Sequence, residues 1–153
     1  MNKQSFEFSE LDDLYQDIIL DHYRSPRNQK SLDSTDIETE GFNPFCGDSV
    51  VLGMKLDHGT IQQVSLEGAG CSISQASASI LSELIKGKDL SKARNLYSIF
   101  RSMMHGENIS DLDMEELGEA EALAGVRKFP IRIKCALLSW VALEDGIKKN
   151  LKI

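Results

Sequence analysis

The sequence predicts an α+β fold, a small antiparallel sheet of about three strands with helices packed on one face, and three features of its order predict it. Alternating apolar residues run up to Asp57-His58-Gly59-Thr60 and resume beyond it, as the two arms of a hairpin do. After Gly70 the apolar residues recur at intervals of three and four, the spacing of amphipathic helices. Strands grouped early and helices grouped late belong to an α+β arrangement with helices segregated to one side of the sheet.

In chain order, Leu14, Ile18 and Ile19 with Asp12 and Asp13 ahead of them predict a helix from about Glu10 to Tyr23, acids complementing the helix dipole in its first turn. It stops at Arg24-Ser25-Pro26, because a proline pushes the residue before it out of the helical region. The polar segment 27–40 reads as a loop leading into a short strand near Ile37. Val50, Leu52, Met54 and Leu56 share one face of a second strand, and Ile61 to Glu67 returns as a third. Gly68-Ala69-Gly70 ends the sheet, and Ile73, Ala76, Ile80, Leu81 and Leu84 carry a helix from Cys71 to Lys86-Gly87. Further helices are expected over 89–105 and about 115–124, with Asp111 to Glu116 as an acidic connection. The last helix is expected to begin near Pro130, suited to a first turn, and to reach about Lys149.

A chain of 153 residues with 41% hydrophobic content can bury one core, so one domain spanning 1–153 is expected. A net charge of −7 argues against a nucleic-acid partner, which needs a basic face. No window reaches the roughly 18 consecutive apolar residues of a membrane span. The first residues carry acids and an amphipathic pattern in place of a signal peptide, so a cytoplasmic protein is expected, with no membrane partner. Three widely separated cysteines do not form a secreted disulfide framework; thiols used for metal or redox chemistry fit better.

Three segments could carry that chemistry. Cys46-Gly47-Asp48 puts a thiol and a carboxylate two residues apart, with a glycine that lets the backbone bend so both converge; zinc accepts both donors. The same tripeptide also fits a loop aspartate beside a buried cysteine acting as a small hydrophobe. Gly68-Ala69-Gly70-Cys71-Ser72-Ile73-Ser74 places a cysteine where a strand turns into a helix, where free N–H groups favour thiolate. Ser72 and Ser74 equally suit a capped helix with an incidental thiol, and the glycines favour a site, since small residues let something approach the backbone. Cys135 lies near the start of the last helix with Arg132 and Lys134 close by, cations that lower a thiol's pKa, although a cysteine on an apolar helix is also ordinary core. His22, His58 and His105 read as solvated histidines, the acidic stretch Glu107 to Glu121 as solvated surface, and Met103, Met104 and Trp140 as core.

Together, Asn43-Pro44-Phe45-Cys46-Gly47-Asp48, the glycine segment before Cys71, and Phe129-Pro130-Ile131-Arg132-Ile133-Lys134-Cys135 resemble the IscU/SufU family of iron–sulfur cluster assembly proteins. The resemblance extends to Leu14-Tyr15 and to His22-Tyr23-Arg24-Ser25-Pro26-Arg27-Asn28, and it implies a SufE/IscU-like fold. Scaffold members have a histidine before the third cysteine, whereas here stands Lys134, whose ammonium has no lone pair for a metal. The separation of 64 positions from Cys71 to Cys135 exceeds the scaffold spacing through an added helical segment around 89–110, and the peptide by which scaffolds bind their Hsp70 chaperone is not reproduced. These departures match the SufU branch.

That resemblance implies a zinc-dependent sulfur carrier with one Zn²⁺ per chain held by Cys46, Asp48, Cys71 and Cys135. It implies Cys46 as the sulfur acceptor and Arg132 as a residue near the metal. The implied partners are a SufS-type cysteine desulfurase, one of whose histidines takes over a zinc ligand position and frees Cys46, and a downstream cluster assembly scaffold. Zinc has no redox chemistry and holds a coordinating thiol deprotonated, and one oxygen donor among sulfurs suits a site meant to open. The alternative is a scaffold carrying a [2Fe–2S] cluster on the same residues, although clusters usually take cysteine or histidine at every position.

Overall fold

A computed structural model describes residues 13–151. Its elements are α1 (Asp13–Arg24), β1 (Ile37–Asn43), β2 (Asp48–Asp57), β3 (Thr60–Ala69), α2 (Ser72–Ile85), α3 (Leu90–Met104), α4 (Asp111–Glu116), a 3₁₀ segment (Gly118–Lys128) and α5 (Pro130–Leu151). The strands form one antiparallel sheet in the order β1-β2-β3. Helix α5 lies against β1 and β2, α2 against β3, and α1 and α3 pack outside them, so the α+β prediction holds. The expected helix start at Glu10 lies outside the described residues.

Strand β1 is longer than the sequence suggested, because residues 38–40 belong to it and not to the preceding loop. Its inward positions Ile37 and Thr39 are buried while Glu38 and Glu40 face solvent, and charge on an edge strand protects it from pairing with other chains. The helix over 89–105 forms with Asp89 as its cap, the carboxylate accepting the Lys92 N–H at 2.7 Å. The acidic connection at Asp111 to Glu116 is instead the short helix α4, started by Ser110, whose hydroxyl accepts the Asp113 N–H, and by acids in its first turn.

Gly118, at φ 54°, ends that run, and where an α-helix over 115–124 was expected the chain winds as 3₁₀. Leu117, Ala120, Leu123 and Val126 are all buried, a spacing of three that matches three residues per turn. The Glu107–Glu121 stretch is therefore not simply solvated surface. Its glutamates also bind α1: the Tyr15 hydroxyl donates to Glu121 Oε1 at 3.0 Å, and His22 Nε2 lies 3.1 Å from Glu119 Oε1. His22, read as a solvated histidine, is buried against α2 with Nδ1 2.8 Å from Ser79 Oγ, because the helix end carrying it packs inward; His58 and His105 are exposed.

Trp140 anchors the core between α3 and α5. Its ring stacks on Phe100 with centroids 3.9 Å apart, and its indole N–H donates to Ser77 Oγ at 3.0 Å, which in turn donates to the Ala136 carbonyl. At Gly146 a Cβ would sit 3.0 Å from Ile37 and Thr39, so α5 reaches β1 only because that side chain is missing. Replacing Trp140 by Ala removes the stack and leaves Ser77 without its donor. It is expected to destabilise the protein by about 3–5 kcal/mol, read as a lowered urea midpoint with the metal state held fixed.

Candidate metal centre

Strand register builds the site. Asn43 and Asp48 are paired at the ends of β1 and β2, leaving Pro44 to Gly47 as the hairpin tip, with Gly47 at φ 70° and its N–H bonded to the Asn43 carbonyl at 2.8 Å. Cys46 is thereby held at the tip, half-buried, and Asp48 turns inward at the first position of β2, where it is fully buried. Cys71 stands at the N-cap of α2 without a side-chain cap of its own, the role expected of Ser72 or Ser74; Ser74 donates to the Cys71 carbonyl at 3.1 Å. Cys135 comes from the second turn of α5 and is fully buried.

These elements bring Cys46, Asp48 and Cys135 together, with their donor atoms all within 4.8 Å of one another. The Cys135 thiol faces Cys46 Sγ at 3.4 Å. Cys71 does not join that mutual group and approaches through the carboxylate: Asp48 Oδ1 accepts the Cys71 N–H at 2.9 Å, and Asp48 Oδ2 lies 3.8 Å from Cys71 Sγ. Asp48 thus has one oxygen tied to a helix start and the other turned toward sulfur. A tetrahedral zinc ion with Zn–S bonds of about 2.3 Å needs sulfurs roughly 3.8 Å apart, close to the 3.4 Å between Cys46 and Cys135, so these two thiols and the Asp48 carboxylate fit that ion.

Gly70 lets the carboxylate in. A Cβ there would fall 2.5 Å from both Asp48 Oδ1 and Ser74 Oγ, which gives the small residues before Cys71 a physical purpose. Two neighbours were not singled out by sequence reasoning. The buried Asn43 accepts the Phe45 N–H at 3.1 Å and points its amide at Cys135 Sγ, 3.9 Å away, while Ser74 Oγ lies 3.8 Å from Cys71 Sγ. An asparagine opening a turn could have flagged the first; nothing local distinguishes Ser74 from a capping serine.

Arg132 is half-buried beside the thiols. Burial alone would lower its guanidinium's pKa, but the charge of Cys71, a hydrogen bond to Cys135 and the charges of Cys135 and Cys46 together outweigh burial and hold it above its ordinary value. Lys134 points outward, its ammonium 4.9 Å from the centre of the exposed Phe45 ring. Burial first, then hydrogen bonding to Cys46 and Asp48 and the charge and hydrogen bonding of Cys71, push the metal-free Cys135 thiol well above its ordinary 9.0.

Residues 14–136 match the model of the NifU-like N terminal domain, and the chain belongs to that family. It is 49% identical over 140 residues to the zinc-dependent sulfurtransferase SufU of Bacillus subtilis strain 168, covering 92% of this chain and 93% of that one. It is 40% identical over 142 residues to the iron–sulfur cluster assembly scaffold protein IscU of Streptococcus pyogenes serotype M1, covering 93% and 87%. The crystal structure of FiSufU from Fervidobacterium islandicum AW-1 superposes with a TM-score of 0.80 at 32% identity, covering 85% of this chain and 93% of that one. Among the described residues no helix is long and apolar enough to cross a membrane.

Two outcomes test the site. Gly70→Ala is expected to displace the Asp48 carboxylate and weaken zinc binding by about tenfold or more, read by competition with a chromogenic chelator, while the circular-dichroism spectrum is retained. In metal-stripped protein the raised Cys135 pKa means the folded state keeps a proton that the unfolded state gives up. Stability is then fully present below the unfolded thiol's pKa and falls as pH climbs past it. Urea midpoints should decline above pH 9.0, and Cys135→Ser should flatten that decline.

Proposed function

We propose that this chain is a zinc-dependent sulfur carrier, accepting persulfide sulfur from a SufS-type cysteine desulfurase and passing it to a downstream cluster assembly scaffold. The observation that carries this reading is the convergence of Cys46, Asp48 and Cys135, with Cys71 joined through Asp48, behind a hairpin tip that leaves Cys46 partly open to solvent. Likeness to SufU over nearly the whole of both chains supports it, and the lower identity to IscU makes the scaffold role the second reading.

In this reading Cys46, Asp48, Cys71 and Cys135 hold one zinc ion. Bound there, the ion would keep its thiols ionised and tie the hairpin tip, the start of α2 and α5 together. Cys46 acts as the nucleophile: its sulfur attacks the outer sulfur of the donor's persulfide, the donor's S–S bond breaks, and the donor leaves as thiolate while Cys46 carries the persulfide. Cys46 suits this role because it sits on a short turn with Gly47 as its hinge, whereas Cys71 is tied to Asp48 at the start of α2 and Cys135 is fixed on α5. Arg132 steadies negative charge on sulfur. Lys134, turned to Phe45 and lacking a lone pair, supplies no ligand, which counts against a cluster on this site.

Next to Cys46, Phe42, Pro44, Phe45, Leu137, Leu138 and Val141 line an apolar recess, with Phe42 65% and Phe45 80% exposed. Such exposed aromatic surface beside a reactive thiol supports delivery of sulfur by a protein. Three free thiols support the reducing cytoplasm as its setting.

The test is alanine production by a purified SufS-type desulfurase, with and without this protein in zinc-loaded and metal-stripped forms. Strong activation that needs zinc is expected, with Cys46→Ala reducing it to the level of desulfurase alone. Full activation by that variant rules out Cys46 as acceptor, and cluster assembly on the same cysteines without activation favours the scaffold.

A further inference from the structure

We propose that Cys46 and Cys135 form a reversible disulfide when the site loses its metal and meets a peroxide, with Cys71 left as a free thiol. The inference rests on the placement of the three sulfurs and holds whether or not the chain carries sulfur. Its consequence for sulfur transfer rests on the reading given above.

Three observations assign the pair. Cys46 and Cys135 Sγ are 3.4 Å apart, and a disulfide requires them to close to about 2.05 Å. The tip can supply that movement: Gly47 has no atom within 4 Å of where a Cβ would lie, and Phe45 beside Cys46 is largely solvent-exposed. Cys71 stands outside the mutual group that Cys46 and Cys135 form with Asp48, its backbone bonded to Asp48 at the start of α2 and its sulfur 3.8 Å from the carboxylate.

Exposure sets the order of events. Cys135 is fully buried while Cys46 and Cys71 are both half-buried, so an oxidant in solution meets one of those two before Cys135, and of the two it is Cys46 that has the Cys135 sulfur 3.4 Å away. The Cys46 thiol takes one oxygen atom from hydrogen peroxide, giving a sulfenic acid and releasing water. The Cys135 sulfur then attacks the Cys46 sulfur, the S–O bond breaks, and the oxygen leaves as a second water with the Cys135 proton. The two thiols together are oxidised by two electrons, and peroxide is reduced. The bond would remove two of the four proposed ligands and cap the sulfur acceptor, closing the site until a thiol reductant reopens it.

Chain statistics predict a different bond. In an unfolded chain the smallest loop closes most readily, which favours Cys46 with Cys71, whereas the folded arrangement favours partners 89 residues apart. The identity of the pair is therefore diagnostic.

The experiment treats the full-length, metal-stripped protein with hydrogen peroxide, caps the remaining thiols with an alkylating agent, and maps linked peptides without reduction. A parallel sample of the protein as purified receives peroxide with a zinc-binding dye present. In both, two of three alkylatable thiols should be lost to a single Cys46–Cys135 link, Cys71 should be capped, and dithiothreitol should restore all three. In the second sample, zinc release should keep step with the link. Cys71→Ser should form the same link, and Cys135→Ser should instead carry Cys46 on to the sulfinic acid. A link that includes Cys71, covalent dimers in place of the internal bond, or survival of Cys46 and Cys135 as thiols each overturns the proposal. The desulfurase assay on the untreated protein tests the carrier reading separately.

Discussion

The carboxylate of Asp48 is the constraint on which the site depends. A buried carboxylate is costly unless its oxygens are paired, and this one divides its duties: Oδ1 takes the backbone N–H of Cys71, and Oδ2 faces sulfur. The single group joins the start of β2 to the start of α2, while the thiols beside it bring in α5. Gly70 gives it room, the Asn43–Asp48 pairing aims it inward, and the tip between those two residues sets the reach of Cys46.

Much of the architecture was legible because it follows from periodicity. Alternation in Val50 to Leu56 and in the returning strand gave the hairpin, and Pro130 marked the start of the last helix. Strand β1 runs further than the sequence alone shows, because Glu38, Thr39 and Glu40 look like loop, and only pairing with Gly53, Leu52 and Val51 makes them a strand. The 3₁₀ segment reads as α-helix from its sequence, since spacings of three also occur within the helical pattern. An unbroken run of threes was the distinguishing signal.

At the site, the three segments pointed to the residues, yet their arrangement was not in the sequence. Nothing local indicates that Cys46 and Cys135 lie sulfur to sulfur while Cys71 approaches through Asp48, because that follows from how α5 crosses the tip. His22 shows the same limit: a polar residue near a helix end resembles a solvated one until the packing of α1 on α2 buries it. Lys134 was legible as a residue without ligand capacity, whereas its place over Phe45 was not.

The 3₁₀ winding of Gly118–Lys128 also acts as a spacer. A 3₁₀ helix climbs about 2.0 Å per residue and an α-helix about 1.5 Å, so eleven residues reach roughly 5 Å farther than they would as α-helix. That extra length sits immediately before α5 and adds to the distance the chain covers between α4 and that helix. The span that leads into the helix of Cys135 thus depends on the pitch of a segment that carries none of the site's residues.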